Sequence, residues 1–122
     1  PSSTHRQMVS TSKLNFFRSS WIADYPDAQN YLSLFYSKNN WNKGLNKTHF
    51  QNEEFDMLYE KSIIESDFEK RTKMCQELDQ IIMNNAVIIP LYYDQALRFS
   101  HKHIKGFSTN AQNTLVLTKV VK

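Results

Sequence analysis

The sequence predicts an α/β or α+β lobe, and three observations carry that reading. Aromatic and β-branched runs lie toward both ends of the chain, at Lys13 to Ala23 and Thr114 to Val121, as strands require. Between them, two segments opening at Asn52 and Ser66 space their apolar residues as helices do. The run Val87 to Tyr93 then follows, apolar and β-branched, with the length of a strand buried on both faces. Strands flanking packed helices are the pattern of a mixed sheet covered by helices.

Each element has a local reason. Residues 1–12 are polar and begin without methionine, which fits a piece of a longer protein; they are expected to be flexible or to flank the domain. Lys13 to Ala23 carries Leu14, Phe16, Phe17, Trp21 and Ile22 and reads as one strand or two short ones. Asp27 is placed to cap a short helix from about Ala28, whose Tyr31, Leu32, Leu34, Phe35 and Tyr36 crowd one broad face. Residues 37–52, rich in Asn and Lys, read as a surface loop. Asn52, followed by Glu53 and Glu54, starts a helix with acids beside the positive end of its dipole. Ser66-Asp67-Phe68-Glu69 matches a capping box for the next helix, whose stripe is Phe68, Met74, Cys75, Leu78, Ile81 and Ile82. Lys70, Arg71, Lys73, Glu77 and Asp79 are expected largely to face water, and Asn84-Asn85 to stop the helix. Pro90 marks an edge or bulge in the run Val87 to Tyr93. Leu97 to Phe99, Ile104 to Phe107 and Thr114 to Val121 read as further strands.

Composition bounds the function. With 122 residues, 40% of them hydrophobic, the chain can form one domain with one core. The net charge of +3 is spread among interleaved acids, and no nucleic-acid motif occurs, so no nucleic-acid partner is expected. The single cysteine, Cys75, excludes an internal disulfide and a four-cysteine zinc site, and reads as a small buried thiol. With only two glycines the chain has no phosphate-cradling loop, and it lacks a nucleophile elbow and an HExxH sequence. His101 and His103 could share a metal, but without a third ligand at sensible spacing they read as a solvated turn. Glu53, Glu54 and Asp56 are explained by the helix dipole, and at least one of Tyr92 and Tyr93 by strand packing. No catalysis, cofactor or metal is expected.

The most informative run is Ser20-Trp21-Ile22-Ala23-Asp24-Tyr25-Pro26-Asp27. Read as a strand, it places Trp21, Ala23 and Tyr25 on one face and Ile22 and Asp24 on the other, and Pro26 ends it. A carboxylate at the carboxyl end of a strand in an α/β layer lies where ligand crevices form. Asp24 is therefore a candidate anchor for an ammonium group.

The order of these features resembles the extracellular solute-binding proteins of family 5, the dipeptide- and oligopeptide-binding components of ABC importers. The run Trp21 to Asp27 carries the resemblance with the helix Tyr31-Leu32-Ser33-Leu34-Phe35, then Asn52 to Leu58 and an arginine-bearing helix around Arg71. Ile88-Ile89-Pro90-Leu91-Tyr92-Tyr93 and Ile104-Lys105-Gly106-Phe107 complete it, from about Asn15 to the end. Ser20 stands where glycine is common and Ala28 where proline is common. The resemblance implies that residues 1–122 are a partial domain, the C-terminal portion of a periplasmic-binding-protein-like, type II, two-lobed clamp. It implies a peptide ligand whose α-ammonium pairs with Asp24, beside Trp21, Ala23 and Tyr25. It also implies ABC permease subunits as partners, an extracytoplasmic location, and membrane association only through the permease or a lipid anchor outside this chain. The same scaffold serving another solute, an oligosaccharide or a nickel chelate, is the alternative, as is a ligand-sensing domain of a transcription regulator.

Overall fold

The computed structural model describes residues 2–40, 44–93, 95, 97–110 and 114–121. Among these residues there are four α-helices, α1 (Ser2–Ser10), α2 (Gln29–Leu32), α3 (Glu53–Ile64) and α4 (Phe68–Asn84), with a 3-10 turn at Ser37–Asn39. One antiparallel ribbon follows, β1 (Ser108–Thr109) with β2 (Leu115–Val116), in the register Ser108 to Val116 and Thr109 to Leu115.

Helices α3 and α4 form a hairpin because each is specified locally. The Asn52 side chain accepts the Phe55 amide at 2.9 Å and so satisfies one of the unpaired donors at the start of α3. For α4 the cap is Asp67, which accepts from the amides of Glu69 and Lys70, each at 3.0 Å. The capping box expected one residue earlier, with Ser66 as cap, is displaced because the aspartate reaches both free amides itself. The helix ends in paired bonds, Ala86 N–H to Met83 O and Val87 N–H to Ile82 O, with Ala86 at φ +49°. That is a Schellman stop, and Val87 packs back on the core as the motif prefers.

Phe55 and Tyr59 of α3, Leu78 and Ile82 of α4, and Leu32 and Phe35 from α2 and the turn after it make one core. The spacing of four between Phe55 and Tyr59, and between Leu78 and Ile82, puts each pair on one helix face. Cys75 is half-buried beside this core, and burial pushes its thiol upward.

Strand expectations fare differently. Residues 1–12, expected to be flexible, include a nine-residue helix with no buried residue. Lys13 to Ala23 forms no strand and takes part in no ladder among the described residues. Val87 to Tyr93 is irregular and exposed beyond Val87, with Tyr93 100% exposed, so the packing expected for one tyrosine is absent. Leu97 to Phe99 is likewise not a strand. Of the last two expected strands, Thr114 to Val121 shortens to β2, while β1 lies just beyond Ile104 to Phe107, which keeps only a bridge from Lys105 to Val121 through reciprocal 3.1 Å bonds. Gly106, at φ +81°, sits so close to the Lys119 carbonyl oxygen that a Cβ would fall 1.9 Å from it. Only glycine fits there. In place of the mixed sheet expected from the sequence, the described residues form a packed set of helices and a two-stranded ribbon.

Candidate functional site

The run Ser20 to Asp27 is fixed by its contacts with α2 and the hairpin rather than by a sheet. Trp21 donates its indole N–H to Asn30 Oδ1 at 2.6 Å, and Asn30, on α2, is only 3% exposed. A turn follows in which the Asp27 amide bonds the Tyr25 carbonyl at 2.9 Å, with Pro26 between them. Tyr25 donates its hydroxyl to Gln29 Oε1, and Gln29 Nε2 donates to the Tyr59 hydroxyl at 2.7 Å. The Gln29 amide is therefore held at both ends. Burial pushes the Tyr59 phenol upward, so it stays protonated at neutral pH.

These contacts frame an open pocket of about 370 Å3. Trp21, Tyr25, Tyr36 and Tyr59 provide aromatic surface, and Gln29, Asn30, Ser33 and Asn39 provide neutral polar groups. Asp24 also lines it, and is the one Asp, Glu, Lys, Arg or His among the described lining residues. Its position is an exposed bend, not the rim of a strand as the alternation had suggested. An aromatic and amide pocket with a single carboxylate favours a cationic group beside apolar surface. Of the four residues expected at the site, Asp24, Trp21 and Tyr25 meet here; Ala23 is half-buried behind them and is not part of the lining.

Immediately beyond the run, Asp27 meets Arg71 of α4 in a two-pronged pair, Nη1 to Oδ2 and Nη2 to Oδ1, both at 2.8 Å. The remaining guanidinium donor, Nε, bonds the Ser62 carbonyl near the end of α3 at 3.0 Å. Asp27 Oδ1 also accepts the Gln29 amide at 2.8 Å, which starts α2 as the sequence suggested. One side chain thus ties the pocket run to both long helices.

No family model matches the chain. Among curated proteins, it is 29% identical over 94 residues to the dipeptide-binding protein DppE of Bacillus subtilis, covering 77% of this chain and 17% of that protein. It is 30% identical over 89 residues to the oligopeptide-binding protein OppA of Bacillus subtilis, covering 73% of this chain and 16% of that protein. A probable deoxycholate-binding periplasmic protein of Escherichia coli, YgiS, is 29% identical over 102 residues, covering 84% of this chain and 18% of that protein. The chain is a relative of the family 5 solute-binding proteins. It spans about a sixth of the length of these relatives. The relatives are binding proteins rather than enzymes, and no helix among the described residues is long and apolar enough to cross a membrane.

Within the family frame, the arginine-bearing helix noted in the sequence has a definite task. Arg71 was expected to face water, yet its side chain is 26% exposed and each of its three guanidinium nitrogens makes a hydrogen bond. Nothing local signals this, because its partner lies 44 positions away. Gln29 and Asn30 also escape a sequence reading, since an amide on a short helix looks like surface. Asp56 bonds the Ser37 amide at 3.1 Å and the Ser37 hydroxyl, so it anchors the 3-10 turn as well as serving the helix dipole. Tyr92 receives a hydrogen bond from Arg18, away from the pocket. The rings of His101 and His103 stack 5.5 Å apart on an exposed turn.

The Arg71 hydrogen bonds hold the Asp27 carboxyl below its ordinary value, against the opposing effect of burial. A carboxylate lowered in the folded state adds stability that is complete above its unfolded value, about 3.9, and is lost as pH falls through the folded one. With a third of Asp27 exposed, the pair should contribute about 1–2 kcal/mol, between exposed and buried ion pairs. Asp27→Asn is therefore expected to lower the melting temperature at pH 6 and to differ less from wild type at pH 2.5. An equal deficit at both pH values would contradict this.

Proposed function

We propose that this chain is the C-terminal portion of a peptide-binding protein of an ABC importer, forming part of one lobe of a two-lobed clamp. Asp24 accepts the α-ammonium of the peptide, Trp21 and Tyr25 flank it, and main-chain groups of the run, Ala23 included, meet the peptide backbone. The observation that carries this reading is that Asp24 is the one charged side chain among the described residues lining an aromatic and amide pocket. Relatives named for dipeptides and oligopeptides support it. The pocket's volume falls within the range of small-ligand clefts, about 300–1,000 Å3. Deoxycholate, the ligand in another relative's name, is itself an anion and would be repelled by Asp24 at this position.

Binding here involves no bond chemistry: the protein captures its ligand outside the cytoplasm and presents it to permease subunits. Calorimetry on the complete protein tests the central contact. A short peptide with a free amino terminus is expected to bind at least about tenfold more tightly than the same peptide acetylated, as a lost charge-assisted contact implies. Equal affinity for the two would overturn the assignment.

A further inference from the structure

We propose that Arg71 is a positioning residue for ligand recognition, acting through Asp27 to hold Asp24 at the pocket; this rests on the reading of Asp24 above. The geometry is unusually complete for a side chain outside the pocket. Both terminal nitrogens of Arg71 grip both oxygens of Asp27, and Nε grips the Ser62 carbonyl, so the guanidinium plane is fixed by three bonds on two separate elements. Only Tyr25 and Pro26 separate Asp27 from Asp24, and the proline ring removes one of the few backbone freedoms left between them. On its other side Asp27 fixes the Gln29 amide, and the Gln29 side chain meets Tyr25 and Tyr59 at the pocket.

A planar fork is what this task requires. Lysine would keep the charge, but it offers no paired geometry and cannot also serve Ser62 in the same plane. The run preceding α2 contains no strand among the described residues, so no sheet ladder holds Asp24 in place. Trp21 ties one end of the run to α2 through Asn30, and the Asp27–Arg71 pair ties the other end to α4.

The test compares Arg71→Lys, Asp27→Asn and Asp24→Ala in the complete protein, each at a temperature where circular dichroism shows it folded. The readout is the ratio of dissociation constants for an acetylated peptide and its free-amine counterpart. A purely structural role would lower the melting temperature and leave that ratio unmoved. Positioning predicts that Arg71→Lys and Asp27→Asn each shrink it by roughly five- to tenfold, the effect of loosening a charge-assisted contact. An unchanged ratio in both variants, with Asp24→Ala abolishing it, would overturn the positioning role alone. If Asp24→Ala itself leaves the ratio intact, the ammonium reading fails, and the positioning role fails with it.

Discussion

Truncating Phe55 to alanine is expected to destabilise the fold by about 3–5 kcal/mol, the usual cost of removing a buried phenyl ring. Phe55 is 0% exposed, meets Phe50 edge-on at 5.7 Å and stacks parallel to Tyr59 at 6.1 Å. Its removal leaves a cavity facing Leu78 and Ile82, and helix backbones cannot collapse to fill it. Denaturant unfolding of the complete protein followed by fluorescence would show the loss as a lower midpoint. A loss under about 1 kcal/mol would mean that the α3–α4 hairpin is not anchored where the structure places its core.

The largest effect on binding is expected from Asp24. If it meets an ammonium group in a closed, desolvated cleft, Asp24→Ala leaves that cation unpaired and costs about 3–5 kcal/mol. That corresponds to a hundredfold or greater rise in Kd. Asp24→Asn separates charge from shape, since it keeps the volume and one acceptor oxygen while removing the net charge. Both variants should bind poorly and melt as wild type does, because Asp24 is an exposed residue outside the core. Calorimetry paired with thermal melts checks both halves. Wild-type affinity in Asp24→Asn would mean that shape, not charge, is what the pocket reads.

The helices were legible in the sequence because their determinants are near neighbours. Asn52 caps residues within one turn of itself, and Phe55 and Tyr59 share a face by periodicity alone. The strands were not, because a strand is defined by its partner. Lys13 to Ala23 and Val87 to Tyr93 have strand composition but no ladder among the described residues. The lining of the candidate pocket was half legible. Asp24 stood out as a carboxylate closing an aromatic run, and Trp21 and Tyr25 accompany it at the pocket. The machinery beneath them, Asn30 under the indole and Arg71 behind Asp27, depends on contacts across the fold that spacing cannot reveal.

Tyr59 belongs to two systems at once. Its ring stacks in the interior against Phe55, while its hydroxyl receives Gln29 at the pocket. Under the proposed binding role, a substitution at that position would be felt twice, once in the fold and once in the ligand contact. If the chain binds ligand here as proposed, the lining is freer to vary at Ile63, half exposed and outside the core, than at Tyr59.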